Sequence, residues 1–289
     1  MKKVVIKVPA KINLTLDILG VTDGYHDIES LVASINLYDT VTIKERVDGK
    51  ITLQNKGLDV GCPIIENNAY KAAKLFVETF GTYGVDILID KKIPVGGGLG
   101  GSSADIAGVL NAMNDLYGVN GDMTPLAVEL GSDSAYMLHG GYAVLKGRGD
   151  EVEIKDIDKK LYLLIITCKQ EISARKCYQK FDQKKKYFEP STARATEEMY
   201  QGDEISAFKH FKNDLQASAN DLSGEIKHNL YMLKKAGAEV ALVAGSGPST
   251  IGFFADKKVR DSAYKKIKPL LEESVIKAET VVKKDGKFI

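Results

Sequence analysis

Residues 93–114 read IPVGGGLGGSSADIAGVLNAMN, where five glycines fall within six positions and a helical pattern follows at once. Ile106, Val109, Leu110, Met113 and Tyr117 recur at the spacing of one helix face. A glycine-rich loop that runs straight into a helix N-terminus can hold phosphate. Glycine lets the backbone turn its N–H groups towards an anion, and the helix start adds positive potential. The candidate residues are Pro94, Gly96, Gly97, Gly98, Leu99, Gly100, Gly101, Ser102 and Ser103. The plainer reading is a flexible turn, but so many glycines would weaken a simple connection. No Gly-Lys-Ser/Thr closes the loop, so it is not a Walker A motif. Gly98, Gly100 and Ser103 match the dinucleotide-binding pattern only loosely, and the acidic residue that pattern wants about 20 positions on has no good candidate.

A chain of 289 residues can bury a large core, and two closely joined domains, 1–155 and 156–289, are expected. Forty basic residues against 39 acidic leave almost no net charge, so there is no footprint for nucleic acid or for an anionic membrane. Cys62, Cys168 and Cys177 lack metal-ligand spacing and read as reduced thiols; no residue stands out as a resident metal ligand. The lysines near the N-terminus break up any secretion signal, and the longest apolar run, 162–166, is far short of a membrane span. A cytoplasmic protein is the expectation. The lysine run 184–186 reads as a solvated helix end or loop, with a phosphate contact as the alternative.

Strands are expected at 4–8, 12–19, 30–37, 40–45 and 51–54, a helix at 67–80, and a strand at 85–89 leading into the glycine loop. Helices at 126–130 and 134–138 precede a hairpin begun by Gly140-Gly141. Beyond it come a strand at 161–167, a helix carrying Ile226, Leu230 and Leu233 that Gly237 closes, strands near 240–244 and 250–254, a helix at 257–271 and a strand near 277–282. Residues 180–202 are weakly patterned. Strands grouped ahead of helix–loop–helix units indicate an α+β fold.

Three further places bear chemistry-capable residues. Lys11 and Asn13 share a strand face, which by itself reads as an exposed face. Asp23-Gly24-Tyr25-His26 joins a turn signal to an aromatic ring and an imidazole, a pair suited to a flat heterocycle or to a loop packed on the core. Asp133, in Leu130-Gly131-Ser132-Asp133-Ser134, reads as a helix N-cap.

The pattern Pro-x-x-x-Gly-Leu-Gly-Gly-Ser-Ser-Ala resembles the phosphate loop of the GHMP kinase superfamily, whose members phosphorylate small alcohols and phosphates. PAKINLTLDILGVTDGYHDIESL resembles the N-terminal signature of the diphosphocytidyl-methylerythritol kinases, an isoprenoid-pathway branch, and LGSDSAYMLHGGYAVLKGRGDEVE resembles their aspartate segment and glycine hairpin. Ile172-Ser173-Ala174 through Tyr178, Asn213-Asp214-Leu215 and Gly245-Ser246-Gly247-Pro248 resemble later motifs of the same family. The chain departs from the family pattern at Ser102, Ser134, Ala135 and Ala174.

The resemblance implies a two-domain α+β fold: an N-terminal domain like ribosomal protein S5 domain 2, a C-terminal ferredoxin-like α/β-plait, and an active site in the cleft between them. It implies a kinase using ATP and Mg2+ on the 2-hydroxyl of a cytidine diphosphate-linked polyol. Lys11 and Asp133 would flank that hydroxyl, Asn13 would contact substrate, Tyr25, His26 and Tyr178 would hold the cytosine, and Asn67 would lie on the nucleotide side. A kinase of the superfamily with another alcohol or phosphate, or a non-catalytic ligand-binding relative, is the alternative. A monomer or weak homodimer is expected.

Overall fold

The computed structural model describes residues 2–168, 171–184, 187–271, 275–284 and 287–288. Lys185 and Lys186 of the lysine run therefore lie outside the described residues, while Lys184 pairs with Asp221 at 2.7 Å.

Strand β1 (Lys3–Asn13) changes character along its length, alternating in exposure over 3–7 and buried throughout 8–13. This corrects the exposed face expected for Lys11 and Asn13, which are only 5% and 3% exposed. Period-two alternation says which residues share a face, not whether that face is later covered. A bend at Leu14 separates β1 from β2 (Thr15–Thr22), so 12–19 is not one strand. Asp23 and Gly24, both at positive φ, turn β2 into β3 (Tyr25–Glu45), one strand of 21 residues where two were expected. β4 (Thr52–Gly57) precedes α1 (Asn68–Phe80), which buries Ala69, Ala72, Ala73 and Phe76 on one face. β5 (Val85–Lys91) alternates buried with half-buried residues and leads to the glycine loop. Helix α2 (Gly101–Tyr117) is buried on more than one face. Its Gly108 is packed closely enough that a Cβ there would lie 2.7 Å from Val41 and 2.9 Å from Val8. Then come α3 (Thr124–Leu130), α4 (Ser134–His139), β6 (Tyr142–Gly147) and β7 (Glu151–Lys155).

The second half runs β8 (Tyr162–Ile166), α5 (Ala174–Lys184), α6 (Thr192–Gln201), α7 (Glu204–Ala207), β9 (Lys212–Asn213), α8 (Gln216–Leu222), α9 (Gly224–Lys235), β10 (Val240–Val243), β11 (Thr250–Phe254), α10 (Lys257–Leu271), β12 (Val275–Glu279), β13 (Lys283–Lys284) and β14 (Lys287–Phe288). The weakly patterned stretch 180–202 thus contains the end of α5 and all of α6.

The chain forms two compact units. The first comprises Met1–Ala10, Leu37–Val95 and Gly100–Gly140. In it β5 pairs antiparallel with residues 40–45 of β3 and parallel with β4. The second comprises Lys11–Asn36, Gly96–Leu99 and Gly141–Ile289. In it β2, the first part of β3, β6 and β7 form antiparallel pairs. A separate antiparallel sheet, ordered β10-β11-β8-β12, shares a core with α9 and α10 through Leu164, Ile166, Leu233, Phe254, Ala263 and Ile267. This grouping is the expected α+β class. Among the described residues no helix is long and apolar enough to cross a membrane.

Candidate active site

The glycine loop is held by backbone contacts that only glycine permits. Gly96, Gly98 and Gly100 all take positive φ, at 64°, 76° and 72°. In the second unit, a Cβ on Gly98 would lie 2.0 Å from the Ala244 carbonyl oxygen and 3.1 Å from that of Gly247. The Leu99 carbonyl accepts the Lys11 backbone N–H at 3.0 Å. Asn213 braces the other side: its amide donates to the carbonyls of Val243 and Gly245 at 2.8 and 2.7 Å. The Gly-Ser-Gly-Pro turn thus supports the loop, with Ala244 accepting the Gly247 N–H at 2.7 Å. In the first unit Gly100 caps α2 in the left-handed conformation, and Asn68 donates to the Ser102 hydroxyl at 2.8 Å.

Lys11 is aimed by a relay within the second unit. Its ammonium donates to Asn13 Oδ1 at 2.9 Å, and Asn13 Nδ2 donates to the Ser30 hydroxyl at 2.8 Å. Ser30 in turn donates to the Thr15 carbonyl. Asn13 therefore serves as a rest for the lysine as well as a candidate substrate contact.

His26 and Tyr178 are brought together, their rings stacked 4.6 Å apart. His26 Nε2 lies 2.7 Å from Asp182 Oδ1. A carboxylate only accepts, so Nε2–H donates and Nδ1 takes no part in this bond. Helix α5 explains the arrangement: Cys177 and Phe181 are buried, while Tyr178 and Asp182, four residues apart, meet the imidazole. Tyr25 is half exposed, with the Arg148 guanidinium 3.6 Å above its ring centroid. Asp182 and Arg148 escaped the sequence reading because surface charges at such positions look like ordinary solvated groups.

In the first unit Asp133 stands at the start of α4, but its side chain does not cap the helix. The N-cap expectation holds for its position and fails for its side chain. Gly131 presses the same turn against the loop helix: a Cβ there would lie 3.1 Å from Ser134 Oγ and 3.7 Å from Ser103 Oγ. Asn67 caps α1, accepting the Ala69 N–H at 2.9 Å. Its neighbour Asn68 reaches the loop, a role the sequence did not distinguish.

A buried ionic cluster lies beneath the helix start. Lys91 Nζ donates to Asp39 Oδ2 and Asp105 Oδ2, each at 2.6 Å, and to the Gly101 carbonyl at 3.1 Å. Burial, with the added repulsion of Asp39, pushes the Asp105 carboxyl up to about 7 against the pull of Lys91. The folded state then keeps a proton that the unfolded chain releases, so stability falls as pH rises between about 4 and 7. Asp105→Asn is expected to flatten the fall of Tm across that window, and parallel Tm–pH curves for the two proteins would contradict this.

Residues 67–143 match the family model of the GHMP kinases N terminal domain. The chain is 33% identical over 94% of its length to 98% of the 4-diphosphocytidyl-2-C-methyl-D-erythritol kinase of Clostridium tetani. It is 36% identical over 90% of its length to 87% of the protein of the same name from Cutibacterium acnes. A crystal structure of 4-(cytidine 5'-diphospho)-2C-methyl-D-erythritol kinase superposes with a TM-score of 0.81 at 27% identity, covering 96% of this chain and 98% of that one. The homoserine kinase of Cytophaga hutchinsonii shares the fold, with a TM-score of 0.78 at 20% identity over 100% of this chain and 98% of that one. Extending over nearly the whole chain, the likeness makes it a member of the 4-diphosphocytidyl-2-C-methyl-D-erythritol kinase family of GHMP kinases.

Proposed function

We propose that the protein transfers the γ-phosphoryl group of ATP to the 2-hydroxyl of 4-diphosphocytidyl-2-C-methyl-D-erythritol. One observation carries the reading. Lys11, the Asp23-Gly24-Tyr25-His26 turn, the glycine loop and Asp133 occur together in a chain that aligns with relatives of that name over 90% or more of its length.

In the transfer, the substrate oxygen bonds to the γ-phosphorus, the bond to the bridging β,γ-oxygen breaks, and the hydroxyl proton leaves. Asp133 accepts or orients that proton. Lys11, steadied by Asn13, offsets charge on the moving phosphoryl group. When bound, ATP with Mg2+ supplies the phosphoryl group and neutralises its charge. The loop from Pro94 to Ser103 cradles the polyphosphate through its backbone N–H groups, with Asn67 on the nucleotide side. Magnesium takes oxygen ligands and draws several from phosphate and water, so the Ser102 and Ser103 hydroxyls are donors of a fitting type. Tyr25 and Tyr178 offer aromatic faces to the cytosine, and His26 offers a ring nitrogen to its edge.

Mass analysis of the product tests the reaction: one added phosphoryl group on the cytidine substrate with release of ADP supports it, and unmodified substrate refutes it. His26→Ala is expected to raise KM for that substrate at least about tenfold, because a base left without its hydrogen bond loses affinity on this scale. KM for ATP should stay within about twofold, since imidazole and polyphosphate serve different parts of the reaction. Equal rises in both constants would remove His26 from base recognition.

A further inference from the structure

Beneath the loop, Lys91 is 3% exposed and its ammonium is held between two carboxyl groups, those of Asp39 at 0% and Asp105 at 6%. Each group belongs to a different element of the first unit: Asp39 to β3, Lys91 to the end of β5, and Asp105 to α2 one turn from its start. Asp39 does more than pair with the lysine. Its other oxygen accepts the backbone N–H groups of Lys92 and Ile93 at 2.6 and 2.9 Å, fixing the strand end that enters the loop. At the loop's exit, Lys91 Nζ takes the carbonyl of Gly101, the first residue of α2. The contact is close enough that a Cβ on Gly101 would lie 3.1 Å from Nζ and 3.0 Å from Ile93. The cluster thus grips the chain on both sides of residues 94–100.

A buried ion pair adds little stability over a well-packed apolar group, so stability alone does not account for three buried ionisable groups here. Their shared feature is that they fix backbone at the loop's two ends. We propose that Lys91 is a positioning residue for the phosphoryl donor: through the Gly101 carbonyl, Asp105 and Asp39 it sets the conformation in which the loop presents its N–H groups to polyphosphate. This rests on the reading that the loop binds the polyphosphate of ATP. Lys91 touches no reacting atom in this scheme; it acts through the backbone it holds.

The test uses the full-length protein with ATP, magnesium and the cytidine substrate, and measures ADP binding, both KM values, kcat and Tm. Lys91→Met is expected to raise KM for ATP and Kd for ADP about tenfold or more, while KM for the alcohol stays within about twofold. Asp105→Asn keeps an acceptor for the lysine and should shift KM for ATP less than about threefold. Ile43→Ala, a core truncation in the same unit, shows what lost stability alone does. If Lys91→Met loses Tm but leaves KM for ATP unchanged, or raises both KM values together as Ile43→Ala does, the cluster is only structural and the proposal falls. Should Lys91→Met fail to fold, Asp105→Ala decides. It strips one partner from the lysine, and an unchanged KM for ATP overturns the proposal, whereas a selective rise supports it. A parent protein that neither binds ADP nor turns over ATP refutes the underlying reading of the loop, an outcome distinct from a normal parent with a normal Lys91→Met.

Discussion

Asp133→Asn is expected to lower kcat by about three orders of magnitude while leaving ADP affinity within about twofold, because a positioned acid or base contributes on this scale. The start of α4 should be kept. Asn caps helices as well as Asp does, and the Asp133 side chain makes no cap bond at α4. The substitution thus separates two roles that the bare sequence left open. A purely structural Asp133 would yield an active protein, and full turnover in the variant would remove it from the chemistry. What ties it to the loop is local: Gly131, two positions earlier, brings this turn against Ser103 and Ser134.

The second large effect is expected at Gly98→Ala. A Cβ there would lie 2.0 Å from the Ala244 carbonyl oxygen, far inside contact distance, and the residue sits at φ 76°. The left-handed backbone alone costs an alanine about 1–2 kcal/mol. The clash with rigid backbone forces the loop away from the Gly-Ser-Gly-Pro turn, and ATP affinity should fall about a hundredfold. Gly118→Ala serves as the comparison: Gly118 has a similar φ of 64°, but a Cβ there meets nothing within 4 Å. It should lose a little stability and no ATP affinity. Equal ATP constants for Gly98→Ala and the parent would mean that the loop does not depend on its seat against Ala244.

What could be read from the sequence was whatever local rules govern. Glycines followed by an apolar stripe announced the loop and α2, and Asn67 and Phe80 bounded the first helix to within a residue. The Gly140-Gly141 hairpin behaved likewise. The misreadings arose where distant chain decides. Lys11 and Asn13 obey the strand period, yet what covers their face is not written beside them. Tyr38 and Asp39 look like an interruption, but β3 continues through them, and Ile35 bridges to Thr280 far along the chain. The Lys91 cluster was illegible for the same reason. Asp39 is 52 residues away and Asp105 is 14, and each alone resembles a surface charge. Asp182 is found only once α5 is seen to turn Tyr178 and Asp182 to one imidazole. At the site, the residue types were visible, but the partners that aim them were not.

The most direct measurement is coupled ADP release with ATP and magnesium, run in parallel on 4-diphosphocytidyl-2-C-methyl-D-erythritol, mevalonate, homoserine and galactose. Turnover confined to the cytidine substrate is expected, since Tyr25, His26 and Tyr178 are assigned to its base. Turnover with one of the other alcohols and none with the cytidine substrate would contradict that assignment and the proposed reaction.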